Sequence, residues 1–318
     1  MDNYFFINPK AGQGKGIDKL AANIEAASKA LGLKAEIYIT KSIGDAEKKA
    51  RQTAQSLNGR SARFYACGGD GTNNEIINGI AGFDHISVGC VPIGTGNDTV
   101  RNFSTAGDFL DINAQLLGTT EKIDLIKYSG IIDGAYQERY CANMFNIGFD
   151  CNVVELTGRL KKKPLIAGSM AYLLAVMGMF VQKKGIELKL IEDGNTLIDG
   201  EVLLCAIANG SYCGGGMYTS PQASISDGLF DLNIIKDVPR LTFLQLFPKY
   251  QKGTHLQAPG VDQILTTKKC RSLTLVPKED HFFLCADGEI STAETINFEI
   301  APKALEFIVP IAKENAGK

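Results

Sequence analysis

The chain has no Cys-x-x-Cys pair, no zinc-spaced histidines, no marked excess of charge and no apolar run long enough to span a membrane. Each absence removes a class of function. Cys67, Cys90, Cys141, Cys151, Cys205, Cys213, Cys270 and Cys285 lack metal-ligand spacing, and several sit inside apolar strand-like runs, so they read as buried thiols in a reducing compartment. His85, His255 and His281 are too scattered for a histidine metal centre. A formal charge of -2 gives no general attraction to nucleic acid, and no stretch interleaves basic and aromatic residues as an RNA reader does. Met1-Asp2-Asn3 leads into a strand without the basic and apolar blocks of a signal peptide, which makes the cytoplasm the expected location. Leu165 to Val181 is apolar over 17 residues, broken only by Ser169 and Tyr172, and is flanked by Lys161-Lys162-Lys163 and Lys183-Lys184. A spanning helix needs about 20 residues. The stretch is expected as a buried helix of a second domain. Such a helix could also line an acyl-chain pocket, with the lysines meeting anionic headgroups.

Two familiar phosphate-binding signatures are missing as well. Lys15 is followed by Gly16 and lacks the upstream glycine of a Walker A loop, and Gly12, Gly14 and Gly16 are spaced G-x-G-x-G rather than G-x-G-x-x-G. Other glycine runs are present. Cys67-Gly68-Gly69-Asp70-Gly71-Thr72-Asn73-Asn74-Glu75 follows the strand candidate Arg63 to Cys67 and opens a helix near Thr72. Glycine lets phosphate oxygens approach main-chain N–H groups, and a helix N-terminus attracts anions. Thr72 and Glu75 have capping-box spacing. Asp70 would repel a phosphate unless a metal ion intervenes, so it reads as a magnesium or substrate-orienting residue. Taken alone, this run is equally a glycine-rich turn. Asn8-Pro9-Lys10-Ala11-Gly12 follows the apolar run Tyr4 to Ile7, however, and Gly94-Thr95-Gly96-Asn97-Asp98 follows the run Ser87 to Val91. Three loops at strand ends can converge on one crevice of an open α/β sheet.

The first part alternates strand and helix: Tyr4 to Asn8, Ile17 to Leu31, Lys34 to Thr40, Gly44 to Leu57, Arg63 to Cys67, Thr72 to Asn78, Ser87 to Val91 and Gly107 to Leu117. This predicts an α/β N-terminal domain with a parallel sheet. From about Glu121 strand-like runs dominate, punctuated by Asp133-Gly134, Asp193-Gly194, Asp199-Gly200 and Asp227-Gly228, which predicts a largely antiparallel β-sandwich domain. Expected strands there include Glu138 to Phe149, Glu201 to Asn209, His281 to Ala286 and Thr295 to Glu299. Gly214-Gly215-Gly216 is either a close-approach segment or a flexible turn, the turn being preferred. The expected domains are 1–128 and 129–300.

In order along the chain, Asn8-Pro-Lys-Ala-Gly12, Gly68-Gly-Asp-Gly-Thr72, Gly94-Thr-Gly-Asn-Asp98, Asn146-Ile-Gly-Phe149, Asn209-Gly210, Ser226-Asp-Gly-Leu-Phe-Asp231 and Ala286-Asp-Gly-Glu289 resemble the diacylglycerol kinase catalytic domain family, in particular its soluble bacterial lipid kinases. The set spans nearly the whole chain. Its GGDGT run is shared with NAD kinases and phosphofructokinases. The resemblance implies that residues 301–318 return to the first domain. It implies that Asn8, Pro9, Lys10, Ala11, Gly12, Thr40, Gly68, Gly69, Asp70, Gly71, Thr72, Asn73, Asn74 and Thr95 surround ATP. It further implies Glu289 as general base, Asp70 and Asp98 in a carboxylate, water and Mg2+ network, and a largely structural Mg2+ site at the Asp227 side chain with the carbonyls of Ser224 and Leu229. One departure is Thr99-Val100-Arg101, where many relatives have Phe-Ala-Arg.

The function expected from the resemblance is transfer of the ATP γ-phosphate to a lipid hydroxyl, with diacylglycerol as first acceptor and peripheral contact at the inner face of the membrane. Phosphoryl transfer suits these residues, since it needs positioning, charge neutralisation and a group near the attacking hydroxyl. Lys10 or Lys15 could supply positive charge. By itself Asp287-Gly288-Glu289 reads more readily as a solvated hairpin tip. NAD phosphorylation, or a nucleotide- or lipid-binding regulator without turnover, are the alternatives. Oligomeric state, a homodimer included, is left open.

Overall fold

The structure is a computed structural model that describes residues 1–14, 16–148 and 185–312. Lys15, Cys151 and the stretch Leu165 to Val181 with its flanking lysines lie outside the described residues. The chain forms two units, Met1–Leu125 with Gly214–Gly216 and Pro302–Lys318, and Ile126–Cys213 with Met217–Ala301.

In the first unit β1 (Asp2–Ile7) pairs in parallel with β2 (Ala35–Ile39) on one side and β3 (Ala62–Gly68) on the other. β3 continues to β4 (Ile86–Pro92), which pairs in parallel with Glu306 and Phe307. The helices α1 (Ile17–Ala30), α2 (Asp45–Ser56) and α3 (Asp70–Ile80) are the crossovers. β1 leads to β2 on one side while β3 leads to β4 on the other. The strand order therefore reverses between β1 and β3, and a crevice opens beyond their carboxyl ends. Phe5, Ile7, Tyr65, Cys67 and Val91 are buried against Ile24, Ile112, Leu116 and Ile308. Phe5 stacks on Tyr65 at 4.4 Å. Each such side chain contributes about 1.5–3 kcal/mol by leaving water, which fixes the strand ends that carry the loops.

Two local expectations are corrected. The helix expected over Gly107 to Leu117 splits into a 3-10 turn at Asp108–Leu110 and α4 (Ile112–Leu116), because Asp111 leaves helical geometry to accept from the Ala114 N–H at 3.1 Å. The capping box does not form. α3 begins at Asp70, Thr72 Oγ1 accepts from Asn8 Nδ2, and Glu75 instead accepts from the Gly44 and Ala46 N–H groups at the start of α2, at 2.9 and 3.1 Å. A carboxylate is favoured at either helix start; the partner with two orphan N–H groups wins.

The second unit is sandwich-like and antiparallel. It holds residues from β5 (Thr119–Ile132) together with β6 (Ala135–Cys141), β7 (Met144–Gly148), β8 (Ile186–Glu192), β9 (Asn195–Val202), β10 (Leu204–Ala208) and β11 (Phe230–Ile235). Helix α5 (Arg240–Gln251) follows, then β12 (Leu265–Cys270), β13 (Ser272–Pro277), β14 (Phe282–Ala286) and the first part of β15 (Glu289–Val309). One ladder runs β12-β11-β10-β7-β14-β15, and β13 links β15 to β8 and β9. Phe145, Phe230, Phe298, Leu275 and Ile296 lie in its buried core.

Asp133-Gly134, Asp193-Gly194 and Asp287-Gly288 turn the hairpins with both residues at positive φ, as a two-residue type I′ turn requires. Asp199-Gly200 is not a turn but lies inside β9, opposite Leu188 and Lys189. The strand expected over Glu138 to Phe149 breaks at Ala142 and Asn143, whose N–H groups donate to the Asp287 carboxylate; Phe149 lies outside the described residues. Helix α5 and strand β12 are additions to the expected order, as is most of β9, since the strand expected over Glu201 to Asn209 takes in only its last two residues before β10.

Candidate nucleotide site

The three glycine loops of the first unit meet. Asn8 N–H donates to the Cys67 carbonyl at 2.9 Å, and Asn8 Nδ2 to Thr72 Oγ1 at 3.2 Å, joining the loop after β1 to the start of α3. Gly94 N–H donates to the Gly68 carbonyl at 3.0 Å, joining the loops after β3 and β4. Close approach explains the glycines. A Cβ on Gly94 would stand 2.4 Å from the Gly69 Cα, and one on Gly12 would stand 2.9 Å from the Ile93 carbonyl oxygen. Gly12 also has φ +59, where glycine alone is unstrained.

Asp70, in the first turn of α3, ties the assembly together. Its Oδ1 accepts from the Asp98 N–H at 2.8 Å, the Thr99 N–H at 3.2 Å and the Thr99 hydroxyl at 3.3 Å. Three donors on one oxygen fix the direction of the carboxylate. Asp98 does a different job. Its carboxylate accepts from the Gly215 N–H at 3.0 and 3.1 Å and from the Gly216 N–H at 2.7 Å, with Arg101 Nε 3.8 Å away. This clasp groups Gly214–Gly216 with the first unit, although they stand in the middle of the second unit's sequence. The triglycine is held by these bonds and is not merely the flexible turn preferred from sequence.

Beside these loops lies a cleft of about 410 Å³ lined by Asn8, Pro9, Lys10, Thr40, Lys41, Ser42, Ile43, Ala46, Thr72 and Glu75. It gathers Asn8, Pro9, Lys10, Thr40 and Thr72 from the sequence-predicted set. Thr95 is exposed, Ala11 and Gly71 are half-buried, and Asn73 and Asn74 are buried on α3. Asn74 Oδ1 accepts from Asn78 Nδ2, so that side chain is occupied within the helix.

In the second unit Asp287 is buried, and its carboxylate accepts from the N–H groups of Ala142, Asn143 and Met144 and from the Cys141 thiol, all at 3.0–3.1 Å. The tip of the β14–β15 hairpin is thereby pinned, and the exposed Glu289 follows immediately at the start of β15. Burial, and then the Asp287 charge, push the Cys141 thiol well above its ordinary value. Burial likewise pushes Cys205 and Cys270 up to about 12. All three are buried, in keeping with the sequence reading of the cysteines as buried thiols, and a thiol so raised is a packing group. Asp227, Ser224 and Leu229 lie in the turn before β11. Asp227 Oδ1 accepts from the Leu229 N–H at 3.1 Å, and Oδ2 from Lys269 Nζ at 2.8 Å. A second pocket, about 560 Å³ and open to solvent, is lined by Leu203, Leu204, Phe243, Leu246, Phe247 and Tyr250 among other apolar side chains, with His255 as its one imidazole.

Comparison with known proteins gives this arrangement its family. Residues 2–128 match the diacylglycerol kinase catalytic domain, and residues 143–309 match the YegS C-terminal NAD kinase beta sandwich-like domain. The chain belongs to the diacylglycerol kinase catalytic domain family. A diacylglycerol kinase of Mycobacterium tuberculosis is 28% identical over 269 residues, covering 84% of this chain and 83% of that protein. The fold agrees with the crystal structure of a diacylglycerol kinase from Bacillus anthracis, at TM-score 0.69 and 20% identity over 96% of both chains. It also agrees with yeast NADH kinase complexed with NADH, at TM-score 0.51 and 10% identity over 99% of this chain and 84% of that one. As a diacylglycerol kinase family member the protein is a lipid kinase, a phosphotransferase that uses ATP. Among the described residues no helix is long and apolar enough to cross a membrane.

Sequence reasoning missed the Asp98 clasp, the crosslink by Glu75, Lys269 and the apolar cavity. Only the triglycine gave any sign of a close approach. The other three depend on partners 29 or more residues away, or on a helix whose apolar stripe is blurred by solvent-facing leucines.

Proposed function

We propose that this family member transfers the γ-phosphate of ATP to the free hydroxyl of diacylglycerol, giving phosphatidic acid and ADP. The observation that carries the nucleotide half is the junction of the three glycine loops at the strand-order reversal, with a polar cleft beside it. Asn8 to Gly12, Thr40, Gly68 to Asn74 and Thr95 would border ATP, and the exposed Lys10 would meet its phosphates. Magnesium enters as part of the MgATP substrate and neutralises phosphate charge. Asp70, already oriented on one oxygen by three donors, suits its neighbourhood. Glu289 accepts the proton of the lipid hydroxyl as that oxygen bonds to the γ-phosphorus and the bond to the ADP oxygen breaks. Asp98 acts through the triglycine rather than on the substrate.

The apolar cavity supports a lipid acceptor, because its walls offer an acyl chain what water cannot. Drawing such a chain from a bilayer calls for peripheral membrane contact. Helix α5, which lines the cavity, shows Leu241 and Leu244 to solvent beside the exposed Lys249 and Lys252. The test is incubation of purified protein with labelled ATP, magnesium and mixed micelles of diacylglycerol, sphingosine or phosphatidylglycerol, with NAD in a parallel reaction. Labelled phosphatidic acid is the expected product. Phosphorylation of NAD alone, or of no acceptor, would overturn the proposal.

A further inference from the structure

The soluble bacterial lipid kinases imply a structural magnesium ion at Asp227, and the residues around Asp227 do not fit that ion. Both carboxylate oxygens already accept from protein donors, Oδ1 from the Leu229 N–H at 3.1 Å and Oδ2 from the Lys269 ammonium at 2.8 Å. Lys269 lies on β12 directly across from Asp231 on β11. Its ammonium also donates to Asp231 Oδ2 at 2.9 Å and to the Gln222 carbonyl at 3.2 Å. An ammonium has three N–H donors, and here each has an oxygen acceptor within hydrogen-bond reach. Among the described residues no three acidic, histidine or cysteine side chains are grouped to hold a metal.

Magnesium demands near-octahedral oxygen ligands at about 2.0–2.1 Å. Seating it on the Asp227 carboxylate would bring a dication against a lysine already bonded to the same group, and the two positive charges repel. Asp231 adds a second reason for a resident cation. It is buried, and a carboxylate there is tolerated when a positive partner compensates it.

We propose that Lys269 is the built-in cation of this turn, fastening Asp227 and Asp231 to β12 in the way a structural metal would, so that the second unit folds without a divalent ion. Magnesium then reaches the enzyme only with its nucleotide. The inference stands independently of which lipid is phosphorylated.

Removing the ammonium should recreate a metal site. In the full-length Lys269→Met variant two carboxylates and a carbonyl remain without their cation, which should recruit one from solution. Thermal unfolding without nucleotide, in chelator and then in millimolar magnesium or calcium, reads this out. The wild-type Tm is expected to be the same in both. Lys269→Met should melt about 3 °C or more lower in chelator and recover with the metal, and adding Asp227→Asn should abolish the recovery. Should Lys269→Met fail to fold in chelator but fold with metal, the proposal is equally supported. Lys269→Arg, which keeps the charge, should remain insensitive to metal. Manganese binding by the wild-type protein without nucleotide, at one ion per chain and lost in Asp227→Asn, would overturn the proposal. So would a Lys269→Met Tm unchanged from wild type in chelator.

Discussion

Replacing Gly94 with alanine tests whether the glycine loops are packed against each other or merely near. The new Cβ would lie 2.4 Å from the Gly69 Cα, 2.9 Å from its nitrogen and 3.0 Å from Asn97 Oδ1. Non-bonded carbons prefer about 3.5–4.0 Å, so the loops must part by about 1 Å. Neither side yields easily. Gly69 is the residue before α3, and Gly94 donates its N–H to Gly68 at 3.0 Å. Overpacking costs about 1–3 kcal/mol, and loss of the hydrogen bond adds about 0.5–1.5 kcal/mol. The sum, about 1.5–4.5 kcal/mol, should lower the Tm by about 3–18 °C at about 2–4 °C per kcal/mol, the slope expected for a unit of this size. A shift of about 1 Å in groups that position a reacting phosphate can cost about 10²-fold in rate. Scanning fluorimetry and kcat/KM for ATP at saturating acceptor measure both. The control is Gly107→Ala, where φ is -65° and the nearest atom to a new Cβ is 3.7 Å away. That change should be neutral or stabilise by up to about 1 kcal/mol. A Gly94→Ala enzyme with the wild-type Tm and ATP KM would refute the packing argument.

Three further outcomes are expected. Glu289→Gln should abolish lipid phosphorylation and leave nucleotide affinity nearly unchanged, since a general base acts in the transition state; calorimetric titration with ATP beside the labelled-phosphate assay separates the two. Asp98→Ala removes the acceptor of the Gly215 and Gly216 N–H groups, at about 1.5–3 kcal/mol for a bond to a charged group, and amide exchange at those two glycines should accelerate while exchange in the core strands stays slow. His255 is held below its ordinary pKa, chiefly by burial, so the unfolded chain takes up the proton first as pH falls. Its contribution to stability is thus complete above about pH 6.5, is lost as pH drops towards the depressed folded value, and levels off below it. His255→Leu should flatten that slope in urea unfolding at about pH 7.5 and about pH 5.5; an unchanged slope would show that other groups set it.

The parallel sheet was legible because its strands obey a local rule. Phe5 to Ile7, Phe64 to Cys67 and Val88 to Val91 are apolar runs, each followed within a few residues by a glycine-rich loop. The hairpins at Asp133, Asp193 and Asp287 were similarly readable, since an Asp-Gly pair states its own turn geometry. Asp199-Gly200 shows the limit of that rule, because pairing with β8 carries the same dipeptide through as strand. Helix α5 was invisible for another reason. Phe243, Leu246, Phe247 and Tyr250 recur at i, i+3, i+4 and i+7 and line the cavity, but Leu241 and Leu244 face solvent and Pro248 stands within the helix, so the apolar stripe is blurred.

The candidate site divides along the same physical line. Glycines announce themselves, because a close approach or a positive φ is written into the residue type. Carboxylates do not, because their roles depend on which donors the fold brings to them. Thr72 and Glu75 had the right spacing to serve each other, yet each took a partner from another element. Asp98, expected in a metal network, accepts from two backbone amides 117 and 118 positions away. Asp227, expected as a metal ligand, accepts from a lysine 42 positions away. Glu75, Asp98 and Asp227 all accept from protein donors that sequence spacing does not show. Asp287 and Glu289 divide in the same way: the buried Asp287 fixes the turn by accepting from backbone N–H groups, and Glu289, two positions on, is exposed, which is the setting the proposed base role requires.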